Sequence, residues 1–170
     1  MSAEEKVSAE ETLVDVAKTL ATCLSESDHK LVFAESCTSG LLAATLSRVP
    51  GISKHFCGAF VTYRESLKQD ALGVSPATLQ QHTAVSAQAS AEMLDGALSR
   101  CSEATLGLAI TGHLGPGAPA ASDGLVFIAC GTIGETPQEL RYQLKASERY
   151  ERQVEAATVA IEQLHSFLSN

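Results

Sequence analysis

Four short apolar runs limit what this chain can fold into. KLVFA (30–34), FCGAFVTY (56–63), TLGLAIT (105–111) and GLVFIACG (124–131) are nearly unbroken in apolar residues and rich in β-branched and aromatic side chains. Runs of that length and composition read as strands buried on both faces. Helical patterns lie around them. Leu13, Val16, Ala17, Leu20 and Leu24 recur at helical spacing behind a Ser8/Glu11 capping box. Leu41, Leu42, Thr45, Leu46 and Val49 carry a second helix that Pro50-Gly51 stops. A short helix through Lys68 to Leu72 breaks at Gly73, and SPATLQQH (75–82) is a capped helical turn. AVSAQASAEMLDGALSRC (84–101) is a longer helix with Val85, Ala89, Met93 and Ala97 on one face. ELRYQLKA (139–146) alternates as a fifth strand after the turn GETP, and a last helix carries Val154, Ala157, Ile161, Leu164 and Leu168. Strands apolar on both sides need cover on both sides. The expected fold is therefore a single α/β domain, a three-layer α/β/α sandwich with a mostly parallel or mixed central sheet, spanning 1–170 with residues 1–7 frayed.

At 170 residues and 45% hydrophobic content the chain can bury one sizeable core. Twelve Lys+Arg against twenty Asp+Glu give a formal charge of −8, which argues against a broad nucleic-acid or anionic-membrane surface. The five cysteines, at 23, 37, 57, 101 and 130, form no C-x-x-C and read as reduced, mostly buried thiols. The five scattered histidines suggest no metal site. An acidic opening, MSAEEKVSAEE, and the lack of a membrane-length apolar run lead to the expectation of a soluble cytoplasmic protein.

In α/β layers ligands collect at the carboxyl ends of strands. Three segments fall there: Glu35 to Gly40, Tyr63 to Lys68, and Thr111 to Gly117. The first, ESCTSG, joins a strand to a helix, where backbone N–H groups stabilise negative charge. Ser36 in that field is a candidate nucleophile if a base takes its proton, while Ser36, Thr38 and Ser39 could equally serve only as helix caps. Lys68 would be that base only if its ordinary pKa of about 10.4 were lowered by burial or a nearby cation; the plain alternative is an exposed lysine with Tyr63 as a core aromatic. Cys37 is a weaker candidate nucleophile without a histidine partner, and His113 is either a late-loop ligand or, as a lone histidine beside glycines, incidental. Tyr63 and Lys68 do not have the Tyr-x3-Lys spacing of short-chain dehydrogenases, and no G-x-G-x-x-G or P-loop occurs. The loop GHLGPGAPAASD (112–123) lets backbone approach a ligand or simply connects two strands.

The run AESCTSGLLAATLSRVPGISKHFCGAFVTYRESLKQDALGVSPATLQQHTAVSAQASAEMLDGAL, followed by LGLAITGHLGPG, resembles the CinA carboxy-terminal domain family, also known as the PncC family of nicotinamide mononucleotide amidohydrolases. The family pattern has an E-S-C-T-G-G turn, a V-x-Y-S-N-x-x-K segment, L-G-V, A-V-S and A-x-T-G-x-A-G-P, met in order from about Leu13 to the last helix. The resemblance implies a stand-alone, often oligomeric CinA-like domain that deamidates nicotinamide mononucleotide without a cofactor. It implies Ser36 as nucleophile, Lys68 as general base and Tyr63 as assistant. It implies substrate contacts from Glu35, Cys37, Thr38, Ser39, Gly40, Thr111, Gly112 and Gly115, with Arg149 and Arg152 as the candidates for holding phosphate. Its implied partners are a pyridine nucleotide and further copies of itself, with no nucleic acid and no membrane.

The chain departs from the pattern at several positions. Ser39 replaces a glycine, Arg64-Glu65 replaces S-N, Gln88 replaces an acidic residue, and GPGAPAASDGLV replaces the family's G-P-G-G-G-(T/S) loop and its Lys/Pro-Val-Gly sequel. The loop change opens a second reading, a divergent pyridine-nucleotide binding or regulatory module that has lost turnover.

Overall fold

A computed structural model describes residues 8–170, so the fraying expected for 1–7 lies outside the described residues. In chain order the elements are α1 (Ala9–Ser25), β1 (Leu31–Glu35), α2 (Leu41–Leu46), a 3-10 turn (Ile52–Lys54), β2 (Phe56–Val61), α3 (Glu65–Leu72), α4 (Pro76–His82), α5 (Ala87–Arg100), β3 (Leu106–Gly112), β4 (Leu125–Thr132), β5 (Gln138–Gln143) and α6 (Arg149–Leu168). The sheet order is β2-β1-β3-β4-β5. β1 runs parallel to β2 and β3, and β4 and β5 continue antiparallel. The sheet is therefore mixed.

Strand alternation divides the core into two. Leu31 and Phe33 of β1 face α1, α2 and α6, packing with Leu20, Leu42, Leu46 and Ile161. Val32 and Ala34 face α3 and α5, packing with Leu72, Met93, Leu94 and Ala97. This is the expected three-layer sandwich. The capping box forms as read: Ser8 Oγ accepts from Glu11 N at 3.2 Å and Glu11 Oε2 accepts from Ser8 N at 2.7 Å.

Three local expectations are corrected. α5 begins at Ala87 behind the N-cap Ser86, so Val85 stands outside the helix instead of on its buried face. β2 ends at Val61, and Tyr63 is 53% exposed, not a core aromatic. Cys57 is exposed on the outer strand β2, while Cys37 and Cys130 are buried.

The sandwich also fixes where α3 sits. Gly96 of α5 lies so close to the end of α3 that a Cβ there would fall 2.0 Å from the Leu72 carbonyl oxygen. Arg100 Nη1 donates to the same carbonyl at 3.0 Å. α3 is thereby docked tightly on α5, with Lys68 and Leu72, one turn apart, as its buried residues.

Candidate active site

The parallel arrangement of β1, β2 and β3 brings their carboxyl ends to one edge of the sheet, and a cleft of about 340 Å³ opens there. Each of the three segments expected at strand ends contributes to its wall: Ser36 and Cys37 from the first, Tyr63, Glu65 and Lys68 from the second, Thr111 to Gly117 from the third. Arg149 at the start of α6 closes the far side.

Ser36 is set by continuing the sheet one residue beyond β1. Its N–H donates to Ile110 O of β3 at 3.1 Å, and Thr62 N donates to Glu35 O at 2.8 Å. The serine is thus held between its two neighbouring strands. Lys68 reaches it from α3: Nζ lies 2.8 Å from Ser36 Oγ and donates to the Thr62 carbonyl at 2.7 Å. The lysine is only 1% exposed, and among the described residues no carboxylate pairs with it. Desolvation by burial lowers its pKa from an ordinary 10.5 to about 8, against smaller upward pulls from Cys37 and Glu65. A usable fraction of neutral amine therefore exists near neutral pH, which is what a general base requires.

The hydroxyls of the turn do not cap α2. Its N-cap is Gly40, at φ 93, with no side-chain cap. The buried Glu35 carboxylate instead accepts from Gly40 N at 2.9 Å, Leu42 N at 3.1 Å and Ala43 N at 2.9 Å. This corrects the reading of α2's N-terminus as an open anion site: the Glu35 side chain already occupies it. Within this turn the N–H groups of Cys37 and Thr38 have no oxygen partner among the described residues. Burial raises the Cys37 thiol to about 12, so it is un-ionised at neutral pH and unsuited to attack.

Glu35, Thr38, Ser39, Gly40 and Arg152 do not line the cleft, whereas Ser36, Cys37, Tyr63, Lys68, Thr111, Gly112, Gly115 and Arg149 do. Thr111 Oγ1 donates to Ala84 O at 2.7 Å and so ties the segment before α5 to the end of β3, placing Ala84 and Val85 in the wall. Arg149 Nη2 donates to Tyr63 Oη at 2.6 Å, and Nη1 donates to the Gly115 carbonyl. Its cation thus spans the mouth. Arg152 is committed elsewhere: it pairs with both Asp123 oxygens at 2.9 and 3.0 Å and donates to Ala146 O at 2.8 Å, pinning the 112–123 loop to α6. The sequence reading missed Glu65, Val85 and Gln153. Only Gln153 carries a signal: a polar residue one turn after Arg149, beside the apolar stripe that starts at Val154.

An α/β domain that gathers a serine, a buried lysine and a glycine-rich loop at the carboxyl edge of three parallel strands is a defined structural class. A family model described as the CinA C-terminal domain matches residues 13–168, and the chain belongs to that family. Its relatives include a CinA-like protein of Syntrophotalea carbinolica, 36% identical over 91% of this chain and 37% of the relative. A putative competence-damage inducible protein of Acetivibrio thermocellus is 40% identical over 71% of this chain and 30% of the relative. The chain thus spans about a third of the length of these curated relatives. Among solved structures, the competence/damage inducible protein CihA from Agrobacterium tumefaciens superposes with a TM-score of 0.87 at 31% identity, covering 100% of both chains. A CinA superfamily protein from Klebsiella pneumoniae gives 0.87 at 27% identity over 92% of this chain and 98% of that one.

Proposed function

We propose that this protein is a serine–lysine amidohydrolase that converts nicotinamide mononucleotide and water to nicotinate mononucleotide and ammonia. The observation that carries the reading is the buried contact between Lys68 Nζ and Ser36 Oγ. Ser36 Oγ adds to the carboxamide carbon as its proton passes to neutral Lys68. The oxyanion that forms is received by the N–H of Cys37, and such a donor is worth on the order of 3 kcal/mol of barrier. Lys68 returns the proton to the departing nitrogen, and ammonia leaves an ester on Ser36. Water, deprotonated by Lys68, then adds to the ester, and Ser36 regains its proton as nicotinate mononucleotide is released. Arg149, cationic at the mouth beside Tyr63, suits the phosphate end of the substrate.

The altered 115–123 loop favours a second reading, in which the cleft binds a pyridine nucleotide without turning it over. The homo-oligomer and the cytoplasmic setting implied by the family resemblance belong to the same proposal. Ammonia release from nicotinamide mononucleotide, with wild type and Ser36→Ala side by side, separates the two readings. The enzyme reading expects release that disappears in Ser36→Ala. Tight nucleotide binding by the wild type without release would establish the binding module instead.

A further inference from the structure

Gln153 sits one helical turn after Arg149 on α6, so both project from one face of the helix toward the site. Its Nε2 donates to the carbonyls of Cys37 at 3.3 Å and Thr38 at 3.0 Å. Both partners are acceptors, so only the amide nitrogen can occupy this position; the amide oxygen there would face two other oxygens. The side chain is therefore a two-pronged clamp on consecutive peptides of the turn that carries Ser36.

Peptide planarity gives the clamp its consequence. In a trans peptide the N–H of Thr38 points opposite to the C=O of Cys37. With that carbonyl drawn toward α6, the Thr38 N–H is directed away from α6. Thr38 O also accepts from Leu41 N at 3.0 Å, and Ser39 N is bound to Ser36 O at 3.0 Å. The Cys37 N–H remains without an oxygen partner among the described residues, and Cys37 lines the cleft. No hydroxyl of the turn helps to hold it, since Thr38 Oγ1 is buried without a partner and Ser39 is turned to φ 53.

We propose that Gln153 is a positioning residue: by holding the Cys37 and Thr38 carbonyls on the α6 side it fixes the turn that presents Ser36 Oγ, and the Cys37 N–H beside it, to the substrate. The proposal rests on Ser36 being the nucleophile of the hydrolase described above. Gln153 itself touches no substrate. Its loss should therefore lower the rate of attack and leave substrate affinity and the titration of Lys68 in place.

The test compares wild type, Ser36→Ala, Gln153→Met and Gln153→Glu in the full chain. Methionine keeps the volume and removes the donors; glutamate keeps the shape and sets oxygen against oxygen. Two rates are read: ammonia release from nicotinamide mononucleotide, and labelling of Ser36 by a fluorophosphonate. In the labelling step Ser36 Oγ bonds to phosphorus, fluoride leaves, Lys68 takes the proton and the phosphoryl oxygen occupies the oxyanion position. Both Gln153 variants should show kcat and labelling rates lower by about 10- to 100-fold, a KM within about 3-fold and an unmoved pH midpoint. Melting temperatures within a few degrees of wild type would show that both variants fold. Wild type labelled at Ser36 but inactive on the mononucleotide would reject that substrate while leaving the labelling rates to decide Gln153. Labelling of Gln153→Met and Gln153→Glu at the wild-type rate would overturn the proposal alone. A wild type neither labelled nor active would remove the nucleophile, and the role of Gln153 with it.

Discussion

Lys68 Nζ stands 2.8 Å from Ser36 Oγ, with the lysine 1% exposed and its second hydrogen bond made to a backbone carbonyl instead of a carboxylate. A lysine placed for stability would be given a counter-ion, since an unpaired buried charge costs several kcal/mol. This one has its pKa lowered by burial and is set against a hydroxyl. The arrangement spends stability at the point where the proposed chemistry needs a base.

The cost of burying Lys68 should be measurable. Its folded-state pKa is about 8 against an ordinary 10.5. Below about pH 8 the folded and unfolded chains both hold the proton, and the penalty for burying it is fully present. Between the two values the unfolded chain holds the proton and the folded chain does not, so wild-type stability rises with pH. Lys68→Met has no such term. Its unfolding free energy relative to wild type should fall by on the order of 2–3 kcal/mol as pH passes from 8 to 10.5. Urea unfolding of both proteins at the ends of that window checks the sign, and a constant difference would show that Lys68 titrates in the folded chain as it does in the unfolded one.

Cys37 and Ser36 compete for the role of nucleophile in the sequence, and the structure separates them. The Cys37 thiol, raised to about 12 by burial, is un-ionised at neutral pH. Cys37→Ala should keep ammonia release within about 3-fold of wild type, whereas Ser36→Ala should lose at least about a thousandfold. Loss of turnover in Cys37→Ala with a normal melting temperature would reassign the attack to the thiol.

Glu35 should act on stability before it acts on chemistry. Its carboxylate serves Gly40, Leu42 and Ala43 N–H groups, one of them buried and two partly buried. Glu35→Ala strands these donors, and thermal or urea unfolding should report a loss on the order of 2–4 kcal/mol. Stability equal to wild type would mean that water replaces the carboxylate at the start of α2.

The layers and the strand ends are legible in the sequence because each rests on a local pattern, doubly apolar runs and helical spacing, whereas the pairing of Ser36 with Lys68 comes from the family resemblance, spacing alone leaving a cap and an exposed lysine open. What was not legible depends on side chains crossing between distant elements. Serines and threonines in a strand-to-helix turn look like caps, yet Glu35 displaced them, because its strand directs the carboxylate under α2 from five to eight residues away. Arg149 and Arg152 are equivalent in sequence, and only the position of Asp123 on the returning loop commits Arg152 while leaving Arg149 at the mouth. Gln153 reaches a turn 115 residues earlier in the chain. Val85 was read as helix because its apolar spacing fits, but Ser86 caps the helix after it through a bond from Ala89 N at 3.1 Å.

The central claim is that a buried lysine, partly neutral near physiological pH, activates Ser36. The pH dependence of kcat/KM for ammonia release from nicotinamide mononucleotide tests it most directly. Neutral Lys68 is the active form, so activity should rise with pH and level off above a midpoint of about 8. A profile that stays flat across that value, or that rises only near 10.5 where an ordinary exposed lysine titrates, would contradict the account.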